Sequence, residues 1–126
     1  MDLVHIPRIE ESLREFGERF VQRQFTAAEA AYASEAPGQQ AQRLAARFAA
    51  KEATIKALGL HDTGLNWRDI EVVRAPDGSC TLALHGAALA AVQRQQINRV
   101  LVSLSHDGEY AAAVVAAVSD RSAPAG

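Results

Sequence analysis

The first part of the chain alternates hydrophobic and polar positions with a helical period. Apolar residues recur every three or four positions from Ile6 to Phe20, and Pro7 lies where a first helical turn tolerates proline. The pattern predicts one helix from about Pro7 to Arg23. Arginines occupy the other face of this helix.

A capping signal follows this first helix. The sequence Thr26-Ala-Ala-Glu29 is typical of a capping box, in which the two polar side chains satisfy backbone N–H groups at a helix start. We expect a short second helix from there through Ala33. The dipeptide Pro37-Gly38 then ends it.

The longest predicted helix runs from about Gln39 to Leu58. No helix breaker occurs in this stretch, alanine is abundant, and larger apolar residues form a stripe. Gly59 fits the left-handed position that commonly follows a helix end. A single long helix is therefore expected near the middle of the fold.

The second half of the chain changes to the composition and period of strands. Ile70–Arg74 and Thr81–His85 flank a turn-rich stretch and predict a hairpin. Residues 87–95 are rich in alanine and predict a short helix, and Arg99–Ser105 and Tyr110–Val118 predict two more strands around a turn. The last segment is rich enough in alanine to pass for a helix, but its valines and the preceding turn favour a strand.

These elements indicate an α+β fold in which an antiparallel sheet packs against a long central helix and shorter helices. The chain has 126 residues, of which 48% are hydrophobic, enough for one domain that buries about two thirds of its unfolded surface. We expect the domain to span residues 1–118 and residues 119–126 to form a frayed tail. The net charge of −2 argues against a nucleic-acid partner, because no basic field exists to release counterions from phosphates.

Several isolated residues have unremarkable interpretations. Cys80 is the only cysteine and is expected to be a buried or half-buried strand residue. His5, His61 and His85 show no ligand spacing with it, so zinc is not expected. Trp67 precedes the first hairpin strand and is predicted to anchor the core. A chain without a secretory signal or a membrane-spanning apolar run, and with one cysteine, is expected in the cytoplasm and away from membranes.

The segment from Phe48 to Gly59 carries the candidate chemistry. Its only charged residues are Lys51, Glu52 and Lys56. Glu52 and Lys56 are four residues apart, so they lie one turn apart on one face and can offer a carboxylate to a metal and an ammonium to a phosphate. A glutamate and lysine at this spacing also commonly decorate exposed helices, and these residues alone leave both interpretations open.

Three segments in a fixed order resemble one family. The first segment is Asp2-Leu-Val-His-Ile. The second starts at Arg47 with Arg-Phe-Ala-Ala-Lys-Glu-Ala and has a lysine four residues after the glutamate, and the third is Ser105-His106 before the last strand. This order and spacing resemble the small 4'-phosphopantetheinyl transferases typified by holo-acyl-carrier-protein synthase. The resemblance covers the chain from Asp2 to about Val118 and implies the fold of that family.

The resemblance also implies an activity. The family transfers the 4'-phosphopantetheine group of coenzyme A to a serine hydroxyl of an apo acyl carrier protein, with Mg²⁺ or alternatively Mn²⁺, and releases adenosine 3',5'-bisphosphate. Asp2 and Glu52 match the metal-binding carboxylates, and Lys56 matches a basic residue that stabilises the phosphates during catalysis. Either Glu52 or a metal-bound water is then the base for the serine proton.

Further matched positions are expected to contact coenzyme A: Arg47, Lys51, Lys56, Gly59 and His106. For three of them other interpretations stay open. Lys51 is alternatively an exposed lysine, Gly59 only a helix cap, and His106 a solvated residue beside a turn.

The family docks its acidic carrier protein on a basic first helix. The resemblance gives this role to Arg8, Arg14, Arg19 and Arg23. A rotation of about 100° per residue places the first, third and fourth of these in one sector of the predicted helix. Glutamates interleave with them, so a mixed solvated face is the alternative. Small members of the family are trimers with each site built across two subunits, and a homotrimer is expected here.

One departure from the family pattern concerns the start of the chain. Family members usually begin with a short strand ending in Gly-x-Asp, whereas Met1 immediately precedes Asp2 here. We therefore expect nothing before Asp2 to hold its side chain. Either the start is trimmed or misassigned, or this homologue has lost the strand and binds metal poorly. The second account favours an alternative function, a catalytically silent homologue that binds coenzyme A or a carrier protein.

Overall fold

The computed structural model describes residues 1–61 and 64–119. Its helices and strands are, in order, β1 Asp2–His5, α1 Ile6–Phe16, α2 Glu18–Gln24, α3 Ala27–Ser34, α4 Gln40–Leu58, β2 Ile70–Arg74, β3 Cys80–Leu84, α5 Gly86–Arg94, β4 Arg99–Asp107 and β5 Tyr110–Val118. Short 3-10 turns at Pro37–Gln39 and Trp67–Asp69 precede α4 and β2. The predicted α+β class is confirmed. All but the first residue of the predicted tail lie outside the described residues.

The strands form two antiparallel sheets where a single one was expected. One sheet has the order β1-β5-β4, and the other is the β2-β3 hairpin. In the larger sheet Asp2 pairs with Ala113 on one side of β5, and Arg99 pairs with Val118 on the other. The prediction of a strand in the alanine-rich last segment is confirmed. Ala111 and Ala113 are buried beneath α4, and their small side chains let the helix approach the sheet closely.

The prediction of one continuous helix over Pro7–Arg23 is wrong at Gly17. The chain divides there into α1 and α2, because Gly17 has a φ of 55° and a ψ of −130°, a conformation that residues with a side chain rarely adopt. The N–H of Gly17 ends α1 by donating to the carbonyl of Leu13 at 2.9 Å. Arg8 and Arg14 therefore lie on α1 whereas Arg19 and Arg23 lie on α2, so the prediction that Arg8, Arg19 and Arg23 share one sector of a single helix does not hold.

Other local predictions are confirmed. The Thr26 hydroxyl accepts from the Glu29 N–H at 3.2 Å, and the Thr26 N–H donates to a carboxylate oxygen of Glu29 at 2.9 Å, which completes the capping box. The long helix α4 is uninterrupted, and Gly59 ends it with a φ of 63°. Trp67 packs on the core and stacks on Phe48, with 4.9 Å between ring centroids.

Asp2 is held by later parts of the chain, a source of support that the expectation about the residues before it did not consider. It is the first residue of β1, it pairs with Ala113 of β5, and it is only 7% exposed. Its side chain lies on the sheet face that α4 covers, as does that of Val4 two residues later. Support for Asp2 thus comes from the partner strand and from the helix above it.

The hydrophobic core surrounds α4 in two clusters. The larger cluster, around Phe25 and Leu44, joins this helix to α1, α2, α3 and the larger sheet. The smaller cluster, around Leu58 and Ile70, joins its C-terminal end to the hairpin and α5. Among the described residues, no helix is both long and apolar enough to cross a membrane.

A buried ion pair between Lys51 and Glu29 joins α4 to α3. The Nζ of Lys51 lies 2.8 Å from Oε1 of Glu29, and both side chains are fully buried. The ammonium also donates to the carbonyl oxygens of Trp67, at 3.1 Å, and of Ile70. Through its other oxygen, Glu29 accepts from the N–H of Val72 at 2.9 Å. This one pair therefore links α3, α4 and the chain that enters β2.

These contacts overturn the interpretation of Lys51 as an exposed lysine. Burial lowers the pKa of Lys51, and the charge and hydrogen bond of Glu29 oppose that shift. An ammonium has three N–H donors, and Lys51 has three acceptors inside the chain. It is not free to contact a phosphate, and we leave it out of the ligand site proposed below.

We predict that Lys51→Met lowers the free energy of unfolding by about 3 to 5 kcal/mol, because it leaves the buried charge of Glu29 without its partner. Urea unfolding followed by circular dichroism measures this change. The double variant Lys51→Met with Glu29→Gln should lose less than the sum of the two single variants, since no unpaired charge remains.

The matched control for this measurement is Arg94→Met. Arg94 is exposed at the end of α5 and forms no ion pair with the described residues, so its replacement should change the stability by less than about 0.5 kcal/mol. Equal stability of the Lys51 and Arg94 variants would contradict the role given to the buried pair.

Candidate functional site

Asp2, Glu52 and Lys56 meet where β1 lies against the second half of α4. The Nζ of Lys56 donates to Oδ1 of Asp2 at 2.6 Å. Glu52 lies one turn earlier on the same helix face. The other carboxylate oxygen of Asp2, Oδ2, is buried and has no hydrogen-bond partner among the described residues. The fold thus brings together three predicted site residues that are distant in sequence.

The charges of this cluster influence one another. Burial raises the pKa of Glu52 and the charge of Asp2 raises it further, while Lys56 and Arg8 act in the opposite direction. The hydrogen bond to Asp2 raises the pKa of Lys56, which keeps its ammonium protonated. A bound cation would offset the negative charges of these two neighbouring carboxylates and would give Oδ2 of Asp2 a partner.

A cavity of about 390 Å³ adjoins the cluster. One wall is formed by α4 through Glu52 and Lys56, and the opposite wall by the chain after that helix, including His61, Leu65 and Trp67. The side chain of Lys56 is 60% exposed, so its ammonium is accessible to a ligand. The lining combines charged and apolar side chains and suits a ligand that has both a charged and an apolar part.

A second cavity, of about 500 Å³, contains Arg47 and His106. Three arginines surround the ring of Tyr32 there. The guanidinium carbons of Arg43, Arg47 and Arg74 lie 4.1, 4.4 and 5.2 Å from the ring centroid. Such a group of cations attracts anions, and guanidinium groups match phosphate in geometry.

Two of these arginines, Arg43 and Arg74, were not identified from the sequence. Arg43 precedes Arg47 by one helical turn, and this four-residue spacing could have identified it from the sequence. In the structure, the carbonyl of Arg43 accepts a hydrogen bond from Nη1 of Arg47 at 3.1 Å. Arg74 arrives from β2, and no local pattern predicts that approach. Burial lowers the pKa of Arg47. Cys80 lines the same cavity and is half-buried in β3, as predicted.

The two cavities lie at different places on α4. Arg47 and Glu52 differ by five residues, which separates their directions by about 140° around the helix axis. His106 hydrogen-bonds to Gln42 in the first turn at 3.0 Å, whereas Asp2 bonds to the last turn, about 21 Å farther along the axis. One chain therefore keeps two of the predicted coenzyme A contacts, Arg47 and His106, apart from the predicted metal ligands.

The remaining predicted residues lie outside both cavities or on the surface. Gly59 adopts the left-handed conformation of a helix cap. The four predicted docking residues are exposed on α1 and α2, and none forms an ion pair with another described residue: Arg8, Arg14, Arg19 and Arg23.

Sequence comparisons place this arrangement among known proteins. A family model described as the 4'-phosphopantetheinyl transferase superfamily matches residues 1–115. The holo-[acyl-carrier-protein] synthase of Gloeobacter violaceus is 47% identical over 117 residues, which cover 93% of this chain and 89% of the relative. The enzyme of the same name from Paramagnetospirillum magneticum is 49% identical over 119 residues, with coverage of 90% and 89%.

Solved structures agree with the sequence comparisons. Helicobacter pylori holo-[acyl-carrier-protein] synthase in complex with coenzyme A superposes with a TM-score of 0.80 at 28% identity, covering 93% of this chain and 96% of that one. An ACPS-CoA complex from Chronobacterium ammoniagenes superposes with a TM-score of 0.76 at 35% identity, covering 90% of each chain.

Proposed function

The chain belongs to the 4'-phosphopantetheinyl transferase superfamily, and we propose that it acts as a holo-[acyl-carrier-protein] synthase. It transfers the 4'-phosphopantetheine group from coenzyme A to a serine hydroxyl of an apo acyl carrier protein and releases adenosine 3',5'-bisphosphate. The observation that carries the proposal is the cluster of Asp2, Glu52 and Lys56 beside a cavity. The pairing of β1 with β5 holds Asp2 in place, which favours the transferase over the alternative of a catalytically silent homologue that binds coenzyme A or a carrier protein.

The reaction makes one bond to phosphorus and breaks another. The serine oxygen bonds to the phosphorus that carries pantetheine, and the bond from that phosphorus to the bridging oxygen breaks, leaving its electron pair on the nucleotide. The raised pKa of Glu52 suits it to accept the serine proton. Lys56 stays charged and faces the cavity, where it can stabilise negative charge that develops on the phosphates.

We propose that Asp2 and Glu52 hold Mg²⁺. The residues fit this ion, because Mg²⁺ prefers oxygen ligands and binds through one or two carboxylates while keeping several waters, and Oδ2 of Asp2 is buried without a partner among the described residues. Mn²⁺ would suit the same ligands. A bound ion would neutralise charge on the pyrophosphate of the substrate.

We propose that the enzyme is a homotrimer whose sites each combine two subunits. In this arrangement Arg47 and His106 of one subunit complete the site that Glu52 begins in its neighbour. The separation of the two cavities on α4 supports the arrangement, and so does the sheet face turned away from that helix. Leu3 and Leu101 on that face are exposed and apolar, and neighbouring copies would cover them.

We propose that the carrier protein docks on the exposed arginines of α1 and α2. These cations have no ion-pair partner among the described residues, which leaves them available to an acidic protein.

We also propose a cytoplasmic location and a role in lipid metabolism through carrier proteins of fatty acid synthesis. The free thiol of Cys80 is compatible with a reducing compartment.

Incubation with coenzyme A, Mg²⁺ and an apo acyl carrier protein tests the activity directly. Intact-mass measurement of the carrier should show the gain of one phosphopantetheine group. Glu52→Ala should lower the rate by about 10²- to 10⁴-fold, because it removes both a metal ligand and the proposed base. Arg94→Ala, on the surface of α5, should leave the rate unchanged. An unmodified carrier under these conditions would contradict the proposed function.

The metal site predicts a pH dependence of its own. Protons compete with the ion for Glu52, so the apparent affinity for Mg²⁺ should fall as the pH drops through the raised pKa of that residue and should level off above it. Isothermal titration calorimetry with Mg²⁺ at several pH values measures this. Asp2→Asn should weaken binding at every pH, and an affinity independent of pH would count against the carboxylate site.

Mixed oligomers test whether each site spans two subunits. When Glu52→Gln and His106→Ala chains are co-expressed with different tags and purified through both tags, every trimer contains both chains, so about one site in three should combine the two intact residues and recover activity. A site contained within one subunit would recover none.

The matched control pairs Glu52→Gln with Lys56→Ala. Both residues belong to the same cluster on one chain, so these two variants should not complement each other. Equal recovery in the two pairings, or a monomer by analytical ultracentrifugation at assay concentration, would contradict the shared site.

A further inference from the structure

We propose that Arg68 lies in a basic groove that leads from the docking arginines to the catalytic cavity, and that it pairs there with a carboxylate next to the acceptor serine of the carrier protein. The inference rests on the proposed function and adds to it an interaction surface outside α1 and α2. Its partner is an acidic protein segment.

The groove lies between α2 and the 3-10 turn Trp67–Asp69. It has a volume of about 840 Å³, and its cationic lining consists of Arg19, Arg23 and Arg68. Leu65 and Trp67 line this groove and also the cavity beside Glu52. The two spaces are therefore adjacent, and we expect a segment lying in the groove to extend into the cavity beside Glu52.

The charge of the groove differs from that of the whole protein. The chain has a net charge of −2, yet three exposed arginines line this groove, and none forms an ion pair with the described residues. A local positive surface on an acidic protein attracts an acidic partner to one place and repels it elsewhere.

The peptide unit between Trp67 and Arg68 is fixed by hydrogen bonds at both its N–H and its carbonyl. Its N–H donates to the side-chain oxygen of Asn66 at 2.9 Å. The preceding carbonyl, that of Trp67, accepts from the buried ammonium of Lys51 at 3.1 Å. A guanidinium on a fixed backbone loses less conformational freedom on binding than one on a mobile loop, which favours a specific pairing.

The position of the groove indicates which part of the carrier it binds. When the acceptor serine reaches Glu52, the residues next to that serine must lie against the surface beside the cavity. Trp67 lines the wall of the cavity, and Arg68 follows it directly in the chain. Of the three arginines that line the groove, Arg68 is therefore attached to the cavity wall itself. A guanidinium pairs best with a carboxylate that it can bind through two N–H groups, so we expect an acidic residue close to the serine.

The test compares Arg68→Glu with Arg94→Glu, an equal charge reversal on the exposed end of α5. Arg68→Glu should raise the KM for the apo carrier protein by about tenfold and leave the KM for coenzyme A unchanged. The difference should shrink as the salt concentration rises. Carrier variants in which single acidic residues near the serine are changed to lysine should include one that restores the KM with Arg68→Glu.

The outcomes separate this inference from the proposed function. An unchanged KM for the carrier in Arg68→Glu, with normal transfer by the unmodified enzyme, overturns the groove and leaves the function standing. An equal effect of Arg94→Glu, or an altered KM for coenzyme A, also overturns it. If the unmodified enzyme transfers nothing, binding of the apo carrier by surface plasmon resonance decides: loss of binding in Arg68→Glu alone supports the groove, and any other result overturns it.

Discussion

The buried pair of Lys51 and Glu29 is the interaction on which the rest of the structure depends. A lysine in a protein interior is stable only when its charge meets acceptors, and here the acceptors come from α3 and from the chain entering β2. These segments cannot shift independently of α4. Because Glu52 follows Lys51 by one residue, the rotation of about 100° that turns the lysine inward also directs Glu52 toward the cavity. The position of Trp67 in the opposite wall depends on the same ammonium.

The long helix organises two chemical environments that differ in charge. Near its start, three guanidinium groups crowd the ring of Tyr32, and near its end two carboxylates share a site with Lys56. Each environment lacks what the other supplies. Among the described residues, no carboxylate lines the cavity of the first, and Lys56 is the only lysine or arginine that lines the cavity of the second, where a highly charged substrate would bind. An assembly that brings opposite ends of two such helices together would combine anion binding with metal binding, which is the logic of the shared site proposed above.

Much of the fold was predictable because its signals are local. The capping box at Thr26, the uninterrupted α4 and the valines of β5 each act within a few residues, and the structure confirms all three. The break at Gly17 was missed because the apolar period continues across it. The burial of Lys51, the support for Asp2 and the approach of Arg74 to Arg47 depend on contacts between distant segments, which no local pattern encodes. The roles of Glu52 and Lys56 came from a resemblance, and the structure adds that they meet Asp2.

The pairing of Asp2 with Ala113 joins residues separated by almost the whole described chain. Contacts of such high sequence separation form late, since the loop that they close carries a large entropic cost. On the ribosome, Asp2 is made before β5 and has no partner strand until β5 has emerged. Helix α4 and its buried lysine can assemble earlier from nearer segments. The carboxylate cluster is therefore completed late in folding, and a nascent chain cannot present a finished site before β5 has emerged.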